Sequence, residues 1–548
     1  MDTPRYRPLS LCEVEDLQEY RPGGFHPCSI GDTLGNGRYT ILHKLGHGGA
    51  STVWLAQDST SANGLVTLKV LASDSSQRPP RELLINRKLQ EVFAHSEHSQ
   101  HVQLIDTNFV EKGPNGTHLC FVSKLRGPSV RSVNEFYSYH RKSKLRGSIA
   151  RKIAGQVARV VQQLHDANIV HGDLTTSNML FMLDNSAGHL SGRAVYDLLG
   201  SPVQEEVVPL PGFNVHPSAP AQATEAADIT GLMLHLADEV VLSDFGQSMD
   251  IREAARDYNP ATVLHYTPPE VRFASKHGPI GPASDIWMLA CAIYEIRAGH
   301  SLFDSFLHSD SLIWMEIIET FGKLPQPWWD AFEPRHRWFE EDGTPKAASV
   351  QRGLGNSIIS EESSLRSKVE QIGDDEETAG GEILDALTEP AHVRPSAAEV
   401  DLLTDLLQQM LRYKPEDRIT IHEVVRHPWF TYGGLEVASK VSGKRKQAKP
   451  KAKEASSSKA LAESKPAPPR LGLLLEGLPS VARSKRQQPA VARPASPPAA
   501  PAPNPNRRRA PQRWNGACEN GSCETEFDEH MSPSEDEEEE AVEDEEDD

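Results

Sequence analysis

The sequence predicts an α+β chain of two lobes, a small β-rich one followed by a large helical one, with a disordered tail. From Gly37 to about Leu125 short β-rich runs alternate around a single helical stretch. From about residue 126 the apolar residues switch to helical spacing, and past residue 432 the composition turns to Pro, Ala, Ser, Lys, Arg and Glu with few aromatics.

Residues 1–36 form an N-terminal extension. The small lobe, 37–125, is expected to place strands at Tyr39 to Leu45, Thr52 to Ala56, Leu65 to Leu71 and Leu119 to Val122, and a helix near Arg81 to Val92. In the large lobe, 126–432, Ile149, Ile153, Val157, Val160, Val161 and Leu164 share one helical face. Ile286, Leu289, Ala290 and Ile293 do the same within Asp285 to Ala298, and Leu402 to Leu411 is a leucine-dense third helix. Two segments interrupt this pattern. Asn178 and Asp244 are separated by 65 residues, where a two-strand hairpin needs roughly 15. The surplus, about 183–237, reads as an inserted spacer. A polar, acidic stretch at about 340–397 reads as a flexible excursion.

The tail, 433–548, is too poor in apolar residues to offset the entropy of ordering. It carries basic clusters at Lys444 to Lys453 and Arg507 to Arg509, and then an acidic end. Solvated charge is the expected role of the basic groups, so no direct nucleic-acid binding is expected; Leu471 to Leu478 reads as an incidental apolar run. The net charge of -20 is mostly that end, because Glu535 to Asp548 holds twelve acids and no base, and removing them leaves -8. Six cysteines at 12, 28, 120, 291, 518 and 523 make neither a metal quartet nor a small disulfide framework. No run approaches the ~18 apolar residues of a membrane span. A monomer of the cytoplasm or nucleus, away from membranes, is expected.

The chemistry sits in four places. Gly46-His-Gly-Gly-Ala-Ser-Thr-Val53 lies between two expected strands, where glycines let backbone fold closely over a ligand; a plain turn would look the same. Val66-Thr-Leu-Lys69 puts a Lys at the end of an apolar strand, where an inward charge needs a partner, and Glu82 on the next helix is the obvious one. Ile169-Val-His-Gly-Asp-Leu-Thr-Thr-Ser-Asn-Met-Leu180 sets Asn178 five residues after Asp173. Leu242-Ser-Asp-Phe-Gly246 adds a second Asp, Asp244.

In this order the motifs resemble those of eukaryotic protein kinases. Tyr266-Thr-Pro-Pro-Glu270 stands for the family's Ala-Pro-Glu, Ser284-Asp-Ile-Trp287 for its Asp-x-Trp helix start, and Arg418 matches the Arg that pairs with Glu270. The resemblance covers Gly37 to Phe430 and implies a bilobal protein-kinase fold with ATP and Mg²⁺. Gly46, Gly48, Ser51 and Val53 would cover the nucleotide, and Lys69, fixed by Glu82, would meet its phosphates. Asp173 would accept the hydroxyl proton of a protein substrate, and Asn178 and Asp244 would hold the metal. His171 is expected to be structural.

Within the family the chain resembles the SR-protein kinases, particularly divergent fungal forms, through Glu15-Asp-Leu-Gln-Glu-Tyr-Arg-Pro-Gly-Gly-Phe-His-Pro27, Gly48-Gly-Ala-Ser-Thr-Val-Trp-Leu55 and the spacer. By that alignment Ser123 precedes a hinge, Lys124, Leu125 and Arg126, that meets adenine through backbone groups. The implied substrate is Ser/Thr in arginine/serine-rich proteins of mRNA processing.

Three residues depart from the pattern. Gly172 replaces the Arg that grips a phosphorylated activation loop, Thr175 the Lys that steadies the γ-phosphate, and Val263 the Thr that bonds this Lys and the base. With only Ser248 and Thr262 as hydroxyls near the middle and end of that loop, activity without loop phosphorylation is expected. The departures also motivate a pseudokinase scaffold as an alternative. The His-Gly-Asp-Leu loop, shared with small-molecule phosphotransferases, motivates another.

Overall fold

Alternating apolar residues between residues 33 and 124 build one antiparallel sheet in the order β1-β2-β3-β4-β6-β5. Its strands are β1 (Thr33–Leu34), β2 (Tyr39–Gly48), β3 (Ser51–Asp58), β4 (Leu65–Leu71), β5 (Thr107–Gly113) and β6 (Gly116–Lys124). The computed structural model describes residues 4–433 apart from 61–63, 77–79, 185–191, 214–216, 254–261, 274–279, 306–308, 354–363 and 375–385. The chain divides into units Met1–Lys444 and Arg445–Asp548, and the tail expected to be disordered lies outside the described residues.

The register of this sheet aims the site. Val53 lies opposite Lys69, Lys69 opposite Phe121, and Thr67 opposite Ser123. Directly opposed residues share a face and alternate residues return to it, so these five side chains look the same way. Helix α1 (Arg81–Phe93) packs beside the sheet with Ile85, Leu89 and Phe93 buried. The sequence signal missed β1 and β5, of two residues and of seven mostly exposed ones.

In the large lobe, α2 (Val130–Phe136) is followed by β7 (Ser143–Leu145) and α3 (Gly147–Asp166), whose buried face carries the predicted Ile153, Val157, Val160, Val161 and Leu164. Later come α5 (Pro282–Ala298), α6 (Asp310–Phe321) and α7 (Ala397–Met410). Residues 284–298 of α5 are buried all round, as befits the central helix of the lobe. Pro282 opens it with no amide to leave unpaired, and Gly299, at φ +86°, closes it. Arg418 meets Glu270 through two bonds of 2.8 and 2.6 Å in a buried pair.

Short elements occupy the described parts of both interruptions. The described parts of the spacer hold α4 (Gly192–Leu199), a hairpin of β8 (Gln204–Glu206) with β9 (Gln222–Thr224), and a 3-10 stretch, Ile229–His235. Val195, Leu199 and Leu232 pack with Leu55 of β3. Val207 and Ala223 pack with Tyr6, Leu17, Tyr20 and Phe25 of the N-terminal extension. The flexible excursion expected at about 340–397 is corrected in its described parts: Leu365, Val369 and Ile372 are buried in the helical core, and β10 (Thr388–Pro390) pairs with β7. These elements run three to eight residues, too short for a periodic signal to emerge from polar surroundings. Among the described residues no helix is long and apolar enough to cross a membrane.

One buried ion pair joins extension, spacer and sheet. Lys44 of β2 is wholly buried, bonds Glu15, and donates to the Thr224 carbonyl at 2.9 Å. Burial alone would raise the Glu15 carboxyl, but the Lys44 ammonium outweighs it, and with the Tyr20 hydroxyl holds it below the usual range. Lys44→Met, which strands Glu15, is expected to lower unfolding free energy by about 3 kcal/mol in denaturant titration, and adding Glu15→Gln to recover part of that loss.

Candidate active site between the lobes

A cavity of about 400 Å³ opens between the sheet and the helical lobe. Gly46, Gly48, Ser51, Val53, Lys69, Glu82, Lys124, Asn178 and Asp244 all line it. Leu125 does not: its side chain packs against the cluster of Leu55, Val195, Leu199 and Leu232. Asp173 is not part of the lining either and reaches the site through Asn178, whose amide nitrogen donates to its Oδ2 at 2.8 Å.

Lys69 sits at the centre. Its Nζ lies 3.1 and 2.9 Å from the two Glu82 oxygens and 3.1 Å from Asp244 Oδ1. Burial works against this charge, but Glu82 and Asp244 together outweigh it and hold the ammonium above its usual range. Burial likewise opposes ionisation of Asp244, and Lys69 prevails there too. Asp244 adopts φ +55°, a conformation uncommon outside glycine, and its carboxylate accepts from Gly246 N at 3.2 Å. Phe245 is buried against the His171 ring, 4.9 Å between centroids.

The loop bearing Asp173 is held from below. Asp285, at the start of α5, accepts from His171 N, Gly172 N and His165 Nε2, each at 2.9 Å. His171 is fully buried, with Nδ1 facing Asp173 N at 3.2 Å and Nε2 facing the Ser243 carbonyl at 3.1 Å, a structural placement. Burial raises the Asp173 carboxyl, and its buried Oδ1 has no hydrogen-bond partner among the described residues. Because Asn178 turns its amide nitrogen to Asp173, its amide oxygen is left for a cation beside the Asp244 carboxylate. This donor set, all oxygen with one carboxylate and one amide, suits Mg²⁺.

The three departures have structural counterparts. Gly172 sits at φ +81°, and a Cβ there would lie 2.7 Å from the Gln247 carbonyl oxygen, so an Arg cannot occupy this backbone as it stands. Val263 is half-exposed, but its neighbour Thr262 donates its hydroxyl to Gly172 O at 3.1 Å. Ser248 is fully buried and donates to His171 O at 2.9 Å. Thus both hydroxyls singled out in the sequence tie the loop to the base-bearing segment. Thr175 is buried beside Asp173 and presents no cation.

Sequence reasoning missed Lys88 and Asp250. Lys88 of α1 bonds Asp250 at 2.7 Å and Glu253 at 2.8 Å, and Arg252 also grips Asp250. Asp250 is almost fully buried, and the bonds from Arg252, then Lys88, hold it ionised against burial. Lys88 lies on the same helix as Glu82, six residues on, and no spacing in the sequence links it to Asp250.

A protein kinase domain model matches residues 39–190 and 230–430, and the gap falls within the spacer. The serine/threonine-protein kinase SRPK of Physarum polycephalum is 26% identical over 433 residues, 76% of this chain and 91% of that protein. Protein kinase dsk1 of Schizosaccharomyces pombe is 35% identical over 176 residues, 32% of each chain. The serine/threonine-protein kinase SKY1 of Saccharomyces cerevisiae is 29% identical over 189 residues, 33% of this chain and 25% of that protein, so the match spans a third or less of the two yeast relatives. A domain match that runs through both lobes and stops only where the spacer intervenes, over a cleft of this geometry, places the chain in the protein kinase family.

Proposed function

We propose that the chain is a serine/threonine protein kinase of the SR-protein kinase type, which moves the γ-phosphoryl group of MgATP to a protein Ser or Thr. The observation that carries this reading is the Lys69–Glu82–Asp244 cluster, because catalysis of phosphoryl transfer rests on positioning and electrostatics. Lys69 would steady the phosphates under the glycine-rich turn. Asn178 and Asp244 would hold Mg²⁺, which when bound neutralises charge on the phosphates. The unpaired Oδ1 of Asp173 is where an acceptor hydroxyl can hand over its proton.

The departures at 172, 175 and 263 leave this set intact, which weighs against a scaffold that only binds. The Lys88–Asp250 bridge supports activity without loop phosphorylation: it ties the helix carrying Glu82 to the loop with side-chain charge, where other kinases use an added phosphate. Likeness to proteins named as SR-protein kinases supports arginine/serine-rich substrates. The same reading puts a monomer in the cytoplasm or nucleus, where free thiols such as Cys28 and Cys120 persist.

Asp173→Asn and Lys69→Met are each expected to cut Mg²⁺-dependent phosphorylation by about 100-fold or more. Because burial raises the Asp173 carboxyl and a base must be unprotonated, kcat/KM should fall tenfold per pH unit once acidification passes a pKa above the ordinary aspartate value. Phosphatase treatment should leave activity within about twofold, whereas Lys88→Met should lower it about fivefold or more. Arg-Ser repeats should be preferred over a generic basic peptide in kcat/KM; equal use of the two would refute the substrate class.

A further inference from the structure

Three buried acceptor atoms gather where the N-terminal extension crosses the turn between β5 and β6. The pairing of these strands sets Glu111 opposite His118 and Gly113 opposite Gly116, so the four residues share one face of the hairpin, turned away from Phe121, Ser123 and the cleft. His26 of the extension lies over this face. A Cβ on Gly113 would come within 2.3 Å of His26 Nδ1, so only a glycine lets the ring down onto the strand. The His26 and His118 rings stand 4.8 Å apart between centroids, tilted by 54°. Asn115, in the turn itself, reaches the carbonyl of Phe25, the peptide group that leads into His26.

The bonds these side chains already make fix what is left over. Asn115 Nδ2 donates to the Phe25 and Ser218 carbonyls at 2.6 Å each, which uses both amide hydrogens and leaves Oδ1 a pure acceptor. His118 Nδ1 faces the Leu71 carbonyl at 3.0 Å, so it carries the proton and Nε2 offers a lone pair. His26 Nδ1, His118 Nε2 and Asn115 Oδ1 are all buried, and none has a hydrogen-bond partner among the described residues. An imidazole that donates from one nitrogen to a backbone carbonyl and keeps the other free is the usual arrangement of a metal-bound histidine. Burial pushes both rings down, His26 to about 4, so both are neutral at pH 7, as a cation requires. The Glu111 carboxylate adds negative charge beside His118.

We propose that these three atoms form a site for one divalent first-row transition cation, of which Zn²⁺ is the probe, with water completing its shell. Two imidazoles and an amide oxygen suit a cation of the zinc type rather than Mg²⁺, which takes oxygen alone. Among the described residues no group of three His, Cys, Asp or Glu side chains converges on a metal, so the amide oxygen serves as the third ligand. Such an ion would pin the extension, through His26, to β6, through His118, while Asn115 ties in Ser218 of the spacer. None of the three residues lines the nucleotide cleft, so the site stands whether or not the chain transfers phosphate.

Calorimetric titration of Zn²⁺ into the chelator-stripped full-length protein tests it. The wild type should show a zinc site that His118→Ala and His26→Gln each weaken by about tenfold or more. Zinc held elsewhere, as by Cys518 and Cys523 of the tail, persists in both variants and is told apart in that way. Saturating Zn²⁺ should also slow proteolytic cleavage within residues 20–30 by about fivefold or more in the wild type and leave it unchanged in His26→Gln. His26 sits at the rim, so this variant decides the matter should His118→Ala fail to fold. A wild type whose zinc binding is unmoved by His26→Gln, or protection that survives that substitution, overturns the site and leaves water as the partner of these atoms.

Discussion

The ammonium of Lys69, held between Glu82 and Asp244, is the contact on which the rest of the site depends. Each of its three members comes from a different piece of chain: the β4 strand, the α1 helix and the turn before Phe245. Each is at least half-buried, so removing one member leaves charge uncompensated where water reaches it poorly. The pair therefore penalises any rotation of α1 away from the sheet. It also brings the Asp244 carboxylate to the same cavity as the Asn178 amide oxygen, which is what a bridging cation requires.

A second layer of side-chain contacts surrounds that arrangement. Lys88 anchors α1 to Asp250, Ser248 and Thr262 bind the carbonyls of His171 and Gly172, and Asp285 gathers the amides of the same two residues. The Gly172 backbone could not adopt its left-handed turn against Gln247 if it carried a side chain. Loss of the family's Arg at this position and the use of internal ties in its place are thus two sides of one local geometry. The spacer and the N-terminal extension lock onto the strand that leads into the glycine turn through Lys44 and Glu15.

Much of this was legible in the sequence because the chemistry is carried by local words. Lys69, Glu82, Asn178 and Asp244 were found from residue type and order, and β4 and α1 from patterning that tertiary packing reinforces. What escaped has a physical reason in each case. Leu125 was assigned to the ligand through its backbone, and what no local pattern announces is that its side chain packs against an apolar cluster shared with the spacer. Lys88 and Asp250 are 162 residues apart, and a single ion pair at that separation leaves no periodic trace. The excursion looked polar and the spacer a plain insert because their buried residues are few and scattered, yet Val195, Leu199 and Ile372 are buried.

Magnesium dependence of ADP affinity, measured by calorimetry on the wild type and on Asp244→Asn, probes the assembled cluster most directly. If Asn178 and Asp244 share one cation beside Lys69, Mg²⁺ should strengthen ADP binding to the wild type by about tenfold or more and should scarcely change it in the variant. Equal ADP affinity with and without Mg²⁺ in the wild type would contradict a common metal–nucleotide site.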